Sequence, residues 1–258
     1  MKVVDLNCDL GEDFGRWEIP LDPQIMRYIT SANIACGFHA GSPSVMRRTV
    51  RAAAASRVGV GAHPGLPDLV GFGRRAMDIS PSEARDDMVY QLGSLIAFAR
   101  AEGVRVTHVK PHGALYNQAA KDPRLAEALV EGIKEVDPDL IVVALSGSNL
   151  YSASKAAGLP AASEVFADRA YNADGTLVPR SKPGAVIHEV EKAAEQVVTL
   201  VTRGVVVAVD GTEVPIVADT ICLHGDGPDA LGFARTIRRA LEDAGVRVAP
   251  MHEWLGVS

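Results

Sequence analysis

Seven short runs rich in β-branched and apolar residues, 3–8, 30–35, 57–62, 104–110, 140–145, 161–166 and 218–223, recur along the chain with helix-patterned stretches between most of them. This alternation demands parallel strands, because each crossover returns the chain to the same end of the sheet. In 258 residues, seven or eight such units fit an α/β fold closed into an irregular (β/α) barrel of seven or eight strands. An open, doubly wound sheet is the alternative.

The helix starts carry their own punctuation: Ser42-Pro43, Ser80-Pro81 with Glu83 completing a capping box, Asp122-Pro123, and Pro183 and Pro228 at expected first-turn positions. Between Ser82 and Glu102, the residues Ala84, Met88, Leu92, Leu95, Ile96 and Ala99 recur at helical spacing, and Gly103 is placed to end that helix. A β-hairpin turning at Asp210-Gly211 is expected near 204–217, as a decoration on the barrel. No repeat, low-complexity tract or linker divides residues 1–258, which read as one domain.

At 47% hydrophobic and 22% charged residues, the chain can build its core without staples. A net charge of -6 with no run of Lys or Arg argues against nucleic acid or an anionic membrane as partner. No stretch approaches the ~20 apolar residues of a membrane span. The N-terminus enters a strand pattern without a signal-like segment, and Cys8, Cys36 and Cys222 are too scattered for a disulfide framework. A cytoplasmic protein with reduced thiols is expected. Homo-oligomerisation is left open.

A parallel strand is covered on both faces and should be nearly all apolar, so polar residues at every second position are informative. Asp5, Asn7 and Asp9 share one face of the first strand, and Ser31 and Asn33 one face of the second. Chemistry accumulates at the strands' C-terminal ends, where barrel enzymes keep their sites: His39 on a glycine-flanked loop, His63 before Pro64, and His108, Lys110 and His112 in alternation. Glu164 and Asp168 follow with Arg169 beside them, and then Cys222, His224 and Asp226. Any one of these could be a salt bridge, a cap or a satisfied core group; Asp226 before Pro228 looks like a cap. The loops 65–75 and 169–183 bring Arg74, Arg75 and Arg169, which could close over an anion, and Arg180 and Lys182, which read as solvated loop residues.

Neither a phosphate-binding Gly-x-x-x-x-Gly-Lys motif nor a Gly-x-Ser-x-Gly elbow is present, and Gly71-Phe72-Gly73 lacks the third glycine of a dinucleotide fingerprint. Acid–base chemistry on water is favoured over a covalent route. Asp9, His39, His63, His112 and His224 are also types that suit zinc or a similar divalent metal, although no His-x-x-x-His spacing marks them as ligands.

The strings Asp5-Leu6-Asn7-Cys8-Asp9-Leu10-Gly11-Glu12, 31–41 (SANIACGFHAG), Gly61-Ala62-His63-Pro64, 109–117 (VKPHGALYN), 164–172 (EVFADRAYN) and His224-Gly225-Asp226 resemble the LamB/YcsF family from the first strand to the last. That resemblance implies a barrel similar to the polysaccharide-deacetylase type. It further implies a chain that works with partner subunits B and C to open 5-oxo-L-proline to L-glutamate, with ATP and its Mg as co-substrate. Asp9, His63, Lys110 and His112 are then the catalytic candidates, the Asp and His groups moving protons and Lys110, with Arg74 and Arg75, stabilising negative charge. Asn7, Asn33, His39, Arg74, Arg75, Glu164, Asp168, Arg169, His224 and Asp226 are the substrate- or phosphate-binding candidates. Ser42, where the family often has Asp, and Gly65-Leu66, in place of a common Ser-Tyr, leave the strand-end positions untouched. A metal-dependent deacetylase-like hydrolase and a non-catalytic substrate-binding subunit stand as the other readings.

Overall fold

In the computed structural model, which describes residues 1–16, 24–223 and 230–255, seven parallel strands close on themselves. They are β1 (Val3–Leu10), β2 (Ser31–Ala35), β3 (Gly59–His63), β4 (Val106–Val109), β5 (Ile141–Leu145), β6 (Ala161–Phe166) and, after a hairpin formed by β7 (Val205–Val207) and β8 (Glu213–Pro215), β9 (Thr220–Leu223). Pairing of β9 with both β6 and β1 closes the ring and excludes the open sheet. The two-residue β10 (Arg247–Val248) adds an eighth parallel strand at the start of β1. All seven runs expected to be strands form the barrel, and the hairpin is antiparallel as expected.

Helices α1 (Pro43–Ser56), α2 (Pro81–Ala101), α3 (Gly113–Ala119), α4 (Pro123–Val136), α5 (Asn149–Ala156), α6 (Val190–Arg203) and α7 (Ala230–Asp243) connect the strands. Ser42 and Asp122 cap their helices through side-chain oxygens, and Ser80 with Glu83 forms a full capping box. On α2, Ala84, Met88, Leu92, Leu95 and Ala99 are buried, whereas Ile96 is only partly covered. Pro183 starts no helix. Its segment is pinned as a loop on 169–187 by short antiparallel bridges, and Gly184 adopts a left-handed conformation, so α6 begins only at Val190. Pro228 lies outside the described residues.

The pleat sorts β1: Val4, Leu6 and Cys8 join the large apolar cluster, while Asp5 and Asn7 enter a polar network inside the barrel. The interior is layered. Ile141, Val143, Ala162 and Met251 form an apolar cluster of their own, and Met251 belongs to a short turn near the C-terminus. Asp5 lies at 0% exposure and accepts hydrogen bonds from Thr30, Ser31 and Thr220; burial raises its pKa against those three donors.

Candidate active site

Above the Asp5 layer lie Asn7, Asn33, His108 and Glu164, all fully buried. Asn33 donates to the side-chain oxygens of Asn7 (2.7 Å) and Asp9 (2.8 Å), and His108 Nε2 donates to Asn33 Oδ1 at 3.0 Å. Glu164 accepts from Asn7 at 3.0 Å and from the Tyr116 hydroxyl at 2.6 Å. Burying a polar group costs free energy unless it is hydrogen-bonded, and these side chains meet that requirement through one another.

Lys110 stands on this layer, just past β4, only 3% exposed. Its Nζ reaches Glu164 Oε1 at 2.9 Å, Asp9 Oδ1 at 3.0 Å, Asn7 Oδ1 at 3.2 Å and Cys222 Sγ at 3.1 Å. Burial works against its charge, but the carboxylates outweigh burial and hold its pKa well above the usual value.

Beside it, Nδ1 of His63 donates to the Lys110 carbonyl at 2.8 Å, and Nε2 of His112 donates to the Phe72 carbonyl at 2.8 Å. The other nitrogens of the two rings meet at 2.9 Å. Asp9 Oδ2 is 3.3 Å from His63 Nε2, and Glu12 Oε1 is 3.4 Å from His112 Nδ1 and 3.3 Å from His39 Nε2. Burial opposes protonation of His63, yet the Asp9 charge raises its pKa, whereas burial and the neighbouring imidazoles push His39 and His112 well below the ordinary value. Burial likewise pushes Glu12 up.

These groups open into a cavity of about 430 Å³ lined by Asp9, Glu12, His63, Lys110 and His112, with Arg74, Arg169, Arg180 and Lys121 as its basic groups. Its shape is owed to loops. Phe72 has a positive φ of 55° and Gly73 of 63°; a Cβ on Gly73 would come within 2.7 Å of His39 Cβ, so glycine lets the loop close onto the imidazoles.

A LamB/YcsF family model matches residues 4–256. The chain belongs to the LamB/YcsF family. It is 57% identical over 253 residues to the A subunit of 5-oxoprolinase from Pyrococcus abyssi, covering 98% of this chain and 99% of that one. It is 55% identical to the Bacillus subtilis protein of the same name, covering 98% of each. Among solved structures, the lactam utilization protein of Thermus thermophilus matches with a TM-score of 0.91 at 48% identity, over 96% of this chain and 99% of that one.

In this LamB/YcsF chain the four catalytic candidates, Asp9, His63, Lys110 and His112, share one cavity. Of the binding candidates, Arg74 and Arg169 line it, although Arg169 also donates to the carbonyls of Val178 and Ala185 in its own loop. Asn7, Asn33 and Glu164 lie beneath it, and His39 stacks behind His112 with ring centroids 3.7 Å apart. Asp168 is buried beyond β6 and is not among the lining residues. Arg75 turns away from the cavity, its guanidinium paired with Asp68, so Arg74 and Arg75 do not act as one pair. His224 and Asp226 lie outside the described residues.

Sequence reasoning missed Glu12, Tyr116 and the contribution of Arg180. Glu12 carried no signal of its own: it follows Gly11, whose positive φ of 70° is a matter of loop conformation. Glu12, His39, His63 and His112 bring one ligand atom each within 4.8 Å of one another, so among the described residues the closest metal-compatible set contains Glu12 where Asp9 was expected. Among the described residues, no helix is long and apolar enough to cross a membrane.

Proposed function

We propose that this chain is the A subunit of an ATP-dependent 5-oxoprolinase, opening 5-oxo-L-proline to L-glutamate together with B and C subunits. The observation that carries the reading is one recessed cavity in which a buried ammonium, carboxylates and a facing pair of imidazoles converge. Family membership and the names of its relatives support the same substrate.

The chemistry required is specific. A five-membered lactam is an unactivated amide, so its carbonyl must be polarised, a nucleophilic water or phosphoryl group must be supplied, and the leaving nitrogen must receive a proton. Lys110, held between Asp9 and Glu164, places a fixed positive charge at the cavity floor where an oxyanion or an attached phosphate can develop. Asp9 Oδ2 faces the imidazoles and serves as the base for water. The His63–His112–Glu12 corner, where the two imidazole nitrogens meet at 2.9 Å beside the carboxylate, is the electrophilic pole. Arg74 and Arg180 at the rim fit the substrate carboxylate or a phosphate. ATP, with Mg, makes up the free energy of opening the ring.

Reconstitution with the B and C subunits, ATP, Mg and 5-oxoproline tests this reading. Glutamate and ADP are expected in equal amounts; glutamate formed without nucleotide consumption, or ATP turnover indifferent to 5-oxoproline, contradicts it.

A further inference from the structure

Both imidazoles at the mouth of the barrel have one nitrogen committed to a backbone carbonyl: His63 Nδ1 to Lys110 and His112 Nε2 to Phe72. A carbonyl only accepts, so both nitrogens carry hydrogen, and in the neutral rings His63 Nε2 and His112 Nδ1 must be bare. Two bare nitrogens 2.9 Å apart, with Glu12 Oε1 3.4 Å from one and 3.9 Å from the other, require a positive species between them. Donation of the far N–H to a main-chain carbonyl is also how metal-binding histidines are oriented.

The spacing fits an ion. Ligands at about 2.0–2.1 Å from zinc or a similar ion lie about 3.0 Å apart across a right angle and about 3.4 Å apart in a tetrahedron. The ligand types, imidazole and carboxylate, select the zinc-like transition metals over magnesium or calcium, which prefer oxygen alone. His39 plays a different part. Its ring lies parallel to that of His112, at 2° and 3.7 Å, so the in-plane lone pairs of the two rings cannot converge on one ion. With its hydrogen on Nε2 it donates to Glu12 at 3.3 Å, and its Nδ1 is left as an acceptor with no hydrogen-bond partner.

We infer that His63 Nε2, His112 Nδ1 and the Glu12 carboxylate bind one zinc-class divalent cation, with His39 orienting Glu12 and the ion's open side turned to the cavity and to Asp9. Such an ion polarises a carbonyl and acidifies a bound water. The inference does not rest on the lactam substrate, because binding is read without turnover.

The test uses the full chain, stripped with a chelator and titrated with Co(II) while the visible d–d absorption is followed, and then with zinc by calorimetry. One ion per chain is expected. Glu12→Gln and His112→Gln should each weaken binding by at least about 100-fold, and His39→Phe by about 10–100-fold, as for loss of an outer-shell partner. His252→Ala, outside the cluster, should change nothing; circular dichroism checks that each variant folds. Absence of Co(II) or zinc binding to the folded wild-type chain, or binding that the Glu12 and His112 substitutions leave unchanged, overturns the inference and leaves a shared proton as the positive species.

Discussion

Lys110, just past β4, and Glu164, on β6, meet through Nζ and Oε1 at 2.9 Å, with side chains 4% and 0% exposed. Removing one partner from a pair this deeply buried leaves the other charge uncompensated. Lys110→Met should therefore cost about 3–5 kcal/mol of stability, read by urea denaturation, in addition to abolishing turnover. A variant as stable as the parent would show that Lys110 does not neutralise the carboxylates around it.

The two adjacent arginines should separate functionally. Arg74 lines the cavity and stacks on Phe72, its guanidinium 5.0 Å from the ring centroid, whereas Arg75 is paired with Asp68. Arg74→Ala is expected to raise KM for 5-oxoproline by about tenfold or more, the loss of a hydrogen bond between charged groups of ~1.5–3 kcal/mol. Arg75→Ala should leave KM unchanged in the same assay.

Gly61 on β3 is paired with His108 on the neighbouring strand β4, and a Cβ on Gly61 would lie 2.0 Å from His108 Nε2. Gly61→Ala should destabilise by about 3 kcal/mol or prevent soluble expression, since both neighbouring strands are fixed. Gly93 is the control: it lies inside α2 with nothing within 4 Å of a built Cβ, so Gly93→Ala should stabilise by about 0.5–1 kcal/mol. Thermal melts of both variants check the contrast.

His108 titrates in one direction only. Burial, then the neighbouring imidazole of His252 and the Lys110 charge, push its pKa down to about 3 from an ordinary value of 6.5. The unfolded chain therefore takes up a proton that the native state refuses, so stability is fully present above pH 6.5 and is lost as the pH falls from there towards 3. Between pH 7 and pH 5 this group should remove about 2 kcal/mol, a slope that His108→Gln abolishes. Denaturant titrations of parent and variant at both pH values measure it; parallel losses in the two proteins would contradict the assignment.

Much of this architecture was legible in the sequence because barrel strands carry a strong signal. A run such as 140–145 can be continuous and apolar only when both faces are covered, and the polar alternation of Asp5, Asn7 and Asp9 marks the inward face of β1. Convergence of Asp9, His63, Lys110 and His112 followed from their shared place at strand ends. What was not legible depends on loop conformation. Arg74 and Arg75 are equivalent in sequence, and only the turn through Phe72 and Gly73 sends one inward. Pro183 carries the same local signal as Pro81, but packing of 169–187 on the barrel mouth overrides it. Glu12 was hidden because its role depends on the reversal at Gly11, and β10 because two residues carry no periodicity.

The catalytic role of the cavity is tested most directly by single-turnover glutamate formation in the three-subunit complex carrying His112→Gln. A fall of at least about 100-fold, with complex assembly unchanged, is the expected result for a residue that handles charge at the reacting centre. A near-normal rate would contradict it and would make this chain a binding subunit whose chemistry lies elsewhere.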